Sequence, residues 1–137
     1  MTDIDGERVR RAIDAAESET TGRIAVRVLH HEVGDAVKTA REQLHQAELH
    51  KHPHRNAIIF LVAPKSRRFA VYGDEAIHRI VGDGFWQDVV HEMTPHFKQG
   101  DMTGALVHGI ARAGEQLRTH FPKGESVRSL RSCWRPR

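Results

Sequence analysis

Four oxygen-bearing side chains of this sequence stand where the chain changes direction: Asn56, Asp74, Asp83 and Asp101. The run AVYGDEAIHRIVGDGFW, residues 70 to 86, shows the pattern best, because an apolar stretch ends on Gly73-Asp74 and passes at once into helical spacing. A carboxylate at such a junction has two uses. It can accept a hydrogen bond from a free amide of the first helical turn, which contributes about 1 kcal/mol. It can also hold a hard cation, since Ca²⁺ and Mg²⁺ take carboxylates, carbonyls and water as ligands. Asp83 and Asp101 open later helical patterns in the same way, and capping is the commoner fate of an Asp there.

Strand pairing decides which of these residues can meet. With a turn near Ser66, the strands on either side form an antiparallel hairpin, which sets Asn56 within a residue or two of Gly73 and Asp74. A right-handed crossover from the first strand to the second would open Thr21 and Gly22 at the same edge. An amide, a hydroxyl, a carboxylate and two glycines on one rim form an oxygen-ligand cup for Ca²⁺ or Mg²⁺, and Asp83 and Asp101 are the residues that would complete it.

Eleven histidines raise a separate metal question, chiefly in HQAELHKHPH with His45, His50, His52 and His54. Neutral imidazoles suit Zn²⁺, Ni²⁺ or Cu²⁺, but the spacing matches no closed zinc pattern and lacks a cysteine partner, so a solvated cluster is expected. His30-His31-Glu32 closes the first strand at the opposite rim and is a second candidate. The opening TDIDGE fits neither an EF-hand loop nor a phosphatase Asp-x-Asp placed after a strand, so Asp3 or Asp5 is read as the cap of the first helix. No Cys-x5-Arg loop, Gly-x-Ser-x-Gly elbow, phosphate loop or dinucleotide fingerprint is present.

The elements that must position these residues follow from periodicity. IDGERVRRAIDAAESET places Val9, Ala12, Ile13 and Ala16 on one side of a helix, and Ile24 to Leu29 reads as a β-branched strand. A second helix buries Val37, Ala40, Leu44 and Ala47 in a narrow stripe. Ala57 to Ala63 is apolar without alternation, as expected for a central strand covered on both faces, and RFAVYG is the third strand. Three helical patterns follow, with Pro95 a candidate kink and Gly104, Gly109 and Gly114 read as close contacts with the sheet. The order α-β-α-β-β-α-α-α predicts an α/β fold, a three-layer α/β/α sandwich around a small mixed sheet.

A length of 137 residues fits one domain, expected over residues 1–122. The net charge of +3 is concentrated at the end, where Lys123, Arg128, Arg131, Arg135 and Arg137 face only Glu125. Residues 123–137 are therefore expected to form a flexible basic tail, able to make a weak contact with nucleic acid or an anionic membrane. No apolar run reaches the length of a membrane span, no signal-peptide core opens the chain, and the single Cys133 cannot form an internal disulfide, so a cytoplasmic location is expected.

In their order and spacing, AIDAAESETTGRIAVRV, RNAIIFLVA, RRFAVYGDEAI, GFWQDVVHEMTPHFKQGD and GALVHGIARAGEQLRTHFP resemble the TPM domain family from Ile4 to Pro122. The resemblance implies the same α/β/α sandwich. It also implies a choice of function, because the family includes a photosystem repair protein with acid phosphatase activity, an accessory protein of acetylcholine receptors and members that bind divalent cations. Arg23, Ala57 and Ala76 stand where such members commonly carry an acidic residue, Gly and Gly. The sequence thus suggests a non-catalytic binding module that holds a cation or a protein partner at the Asn56–Asp74 rim. The alternative is a metal-assisted phosphatase acting on phosphomonoesters, in which the cation polarises the phosphoryl group and activates water.

Overall fold

The computed structural model describes residues 4–51 and 54–122. Its centre is the apolar run expected to be covered twice: β2 (Ala57–Ala63) is buried at every position. The reason is visible in the two cores. Ile58, Phe60 and Val62 face one layer and Ala57, Ile59 and Leu61 the other, so a strand with two apolar faces needs no alternation. β1 (Arg23–Val28) pairs with β2 in parallel, and β3 (Arg68–Gly73) pairs with it antiparallel, giving the order β1-β2-β3.

One helix covers the first face. α2 (Ala36–Gln46) is capped by Asp35 and packs Ala40 and Leu44 on Ile59 and Leu61 as it carries the chain from β1 to β2. Val37, expected in that buried stripe, is instead 55% exposed. The other three helices, α1 (Gly6–Glu17), α3 (Glu75–Lys98) and α4 (Met102–His120), cover the opposite face through Val9, Trp86, Val89, Met93, Leu106 and Ile110. The three layers are those expected from periodicity.

The three expected helical patterns after β3 become two helices, because the first two join in α3. They join across a break at Gly82, where φ 78 and ψ 170 lie outside helical angles and in a region that suits glycine. Pro95 remains inside the helix. Of the three glycines expected against the sheet, only Gly109 meets it, beside Phe60 and Met93; Gly114 abuts Ala16 of α1, and Gly104 sits under its own capping Asp101.

α1 and α4 run parallel, joined at both ends. Asp5 caps α1 by accepting the amides of Glu7 and Arg8, and its own amide donates to the Thr103 hydroxyl at 2.8 Å. At the far end, the Thr20 hydroxyl lies between the Leu117 and Phe121 carbonyls, and the Thr21 amide donates to the Phe121 carbonyl at 3.0 Å. The basic segment 123–137, like Asp3 and His52, lies outside the described residues.

Candidate functional site: the Asp74 rim and the β3 groove

Asp74 stands between β3 and α3 as the cap of the helix, as its place between an apolar strand and an amphipathic helix requires. Its amide donates to the Ala57 carbonyl at 2.8 Å, and its Oδ1 accepts the Glu75 amide at 2.8 Å. The cap is therefore real, but the carboxylate does more. Arg55 Nε donates to Oδ2 at 2.8 Å and Arg55 Nη2 to Oδ1 at 2.9 Å, a two-point ion pair in which the carboxylate is 3% exposed and the guanidinium 40%. Burial pushes the Asp74 carboxyl up, and the bonds from Arg55 and the Glu75 amide outweigh it, so the group titrates below its ordinary value.

Arg55 is the candidate site residue that sequence reasoning missed. It holds a positive φ of 51°, and its carbonyl accepts the Ala76 amide at 2.9 Å, which folds the loop over the start of α3. The signal was present: the register that brings Asn56 to Asp74 also brings the cation beside it.

Asn56 does reach this rim. It is fully buried, donates Nδ2 to the Thr21 hydroxyl at 3.2 Å, and leaves its Oδ1 without a hydrogen-bond partner among the described residues. Asp83 lies beyond the Gly82 break, exposed, with its carboxylate 3.4 Å from His78 Nε2. The Trp86 indole donates to His78 Nδ1 at 2.9 Å, so the neutral ring carries its proton on Nε2, facing Asp83. Asp101 is brought to neither residue. It caps α4 through the Gly104 amide and faces His96 at 3.5 Å, about 24 Å along that helix from the Leu117 end that packs on Gly22. The Gly104 amide holds the Asp101 carboxyl below its ordinary value.

A cation bound by Asp74 would have to displace Arg55 from both oxygens. Among the described residues no group of three or more His, Cys, Asp or Glu is placed to hold a metal ion. Of the histidine run, the His45 and His50 rings lie 4.4 Å apart, tilted by 42°, while His30 and His31 are exposed at the opposite rim. A separate pairing joins α3 to α4, where His108 Nε2 lies 2.7 Å from Glu92 and holds that carboxyl below its ordinary value.

From the Arg55–Asp74 pair a groove of about 1040 Å³ extends along β3 between α2 and α3. Val37, Arg41 and His45 line one wall, and Trp86, Val90 and Thr94 the other. Asp74 and Asp83 both border it, whereas Asn56 and Asp101 do not. Gly73 belongs to this wall by necessity, because a Cβ there would collide with the Trp86 ring.

The same architecture occurs in solved structures. The NMR structure of the BA42 protein from the psychrophilic bacterium Bizionia argentinensis superposes with a TM-score of 0.77 at 30% identity, over 87% of this chain and 84% of that one. The N-terminal domain of a P. gingivalis protein matches with a TM-score of 0.64 at 18% identity, covering 84% of this chain and 72% of the other. That of the cg2496 protein from Corynebacterium glutamicum matches at 0.65 and 16% identity, covering 92% and 79%. These last two show the fold alone. Curated proteins return no match. The model of the TPM domain matches residues 1–116, so that the chain, folded as an α/β/α sandwich around a three-stranded mixed sheet, belongs to the TPM domain family.

Proposed function

We propose that this TPM domain is a non-catalytic binding module whose recognition surface is the groove along β3. The observation that carries the reading is the groove itself: about 1040 Å³, walled by two helices and bordered by the Arg55–Asp74 pair. Such concave, partly apolar surfaces with a few polar groups are where proteins bind ligands and peptides. The test is selection from a displayed random-peptide library, with Val37→Trp/Gln87→Trp as a variant that fills the groove from two exposed positions. Peptides that bind the native protein and not the filled variant are expected. A library that yields no groove-dependent binder sinks the reading. In the same reading the basic segment from Lys123 adds a weaker contact with nucleic acid or anionic lipid, measurable as salt-dependent binding lost on its removal.

One observation favours a second reading, a divalent cation at the rim: the buried Asn56 Oδ1 lacks a partner among the described residues. With Arg55 swung outward, the Asn56 carbonyl, the Thr21 hydroxyl and Asp74 would offer oxygen ligands to Ca²⁺ or Mg²⁺, and a metal-assisted phosphatase would build on that centre. Melting with excess Ca²⁺ or Mg²⁺ and with chelator separates the readings, because a ligand of the folded state stabilises it by mass action. The cation reading requires stabilisation of the native protein, more of it in Arg55→Ala, and none in Asp74→Asn. The binding-module reading expects each protein, whatever its own stability, to melt at the same temperature with cation and with chelator.

A further inference from the structure

The floor of the groove is a free sheet edge. Asp74 donates its amide to Ala57, and the register pairs Gly73 with Ile58, Val71 with Phe60 and Phe69 with Val62. Hydrogen-bonded and non-bonded pairs alternate in an antiparallel ladder, so the N–H and C=O groups of Phe69, Val71 and Gly73 point away from β2. No hydrogen bond among the described residues takes them up. The opposite edge is treated differently: the Glu17 carboxylate accepts the Ile24 amide at 2.7 Å, so the start of β1 is capped by a side chain.

The walls specify what an added strand would carry. β3 turns Ala70 and Tyr72 toward α2 and Phe69 and Val71 toward α3. A strand paired to its edge continues the pleat and sends alternate side chains to the same two sides. On the α2 side they meet Arg41 and His45, one turn apart on an exposed face whose groove-lining residues include no carboxylate. Arg41 has no ion-pair partner among the described residues, unlike Arg79, which is tied to Glu75 at 3.4 Å. On the α3 side the added side chains meet Trp86, Val90 and Thr94.

We infer that the groove binds an extended peptide segment as a fourth strand on β3, its side chains alternating between acidic, facing Arg41 and His45, and apolar, facing Trp86 and Val90. This rests on the groove being the recognition surface proposed above. Main-chain pairing supplies the register, and the alternating side chains supply the choice of sequence.

The experiment titrates the ¹⁵N-labelled full chain with the peptide acetyl-Glu-Val-Glu-Val-Glu-Thr-amide, with its lysine-for-glutamate counterpart, and with two copies of the acidic peptide N-methylated at alternate amides. The acidic peptide is expected to shift the Phe69, Val71 and Gly73 amides and slow their exchange with solvent. The lysine peptide binds about tenfold or more weakly, and Arg41→Glu, at an exposed position, inverts that preference. Only one of the two methylated copies loses binding, because a strand presents alternate amides to each neighbour. Three results overturn the proposal: an unchanged spectrum with the acidic peptide, equal binding of the lysine peptide, or shifts on Trp86 and Val90 without protection of the three edge amides. The last would leave the groove as a recognition surface and remove only strand addition, whereas failure of the library selection would remove the groove reading itself.

Discussion

At the scale of single residues, Asp74 shows how one carboxylate serves a cap and an ion pair together. Asp74→Asn keeps an oxygen for the Glu75 amide and loses the charged two-point contact with Arg55, at an expected cost of roughly 1–2 kcal/mol; Asp74→Ala loses both, at about 2–3 kcal/mol. The pH dependence separates charge from capping. Because the folded-state value lies below the unfolded one, the contribution of the charge is complete at neutral pH and is lost as pH falls through the folded value. The melting gap between wild type and Asp74→Asn should therefore be widest near neutrality, narrow from about pH 4 downward, and close in stronger acid. A gap that stays constant into acid would assign the effect to geometry rather than charge. The sequence marked Asp74 and Asn56 correctly as neighbours because register is local arithmetic on a short hairpin. It did not rank Arg55, because which oxygen acceptor a cation chooses depends on the loop conformation that its positive φ creates.

At the scale of elements, α3 carries two glycines with opposite roles only two residues apart. Gly82 lies at φ 78 and ψ 170, a conformation nearly reserved for glycine, so Gly82→Ala should destabilise by about 1–3 kcal/mol. Gly84 sits in open space without a positive φ, so Gly84→Ala should stabilise by roughly 0.5–1 kcal/mol through helix propensity. Thermal or denaturant unfolding of the two variants checks the pair, and equal signs would refute the account. The break matters for the groove, since it separates the capped first turns at Asp74 from the segment that lays Trp86, Val90 and Thr94 along β3. Periodicity alone saw two helices here, and the backbone breaks between them at Gly82 without an intervening loop.

At the scale of the whole molecule, β2 is shared by both cores, so the two faces should unfold together. Leu44→Ala on the α2 face and Leu106→Ala on the other are each expected to cost about 2–5 kcal/mol, and each should lower one common melting transition. Separate transitions for far- and near-ultraviolet circular dichroism would show the layers to be independent. The amino-acid order by itself determined the layer sequence, the doubly covered strand, the hairpin and the approach of Asn56 to Asp74, because each follows from spacing within one element or across one turn. Only the tertiary structure decided that Arg55 occupies Asp74, that Asp101 lies at the other end of the fold, and that Arg41, β3 and Trp86 share one groove. Those facts depend on how elements distant in sequence pack against one another, and periodicity reports which face of a helix is apolar without saying what stands beside its edge.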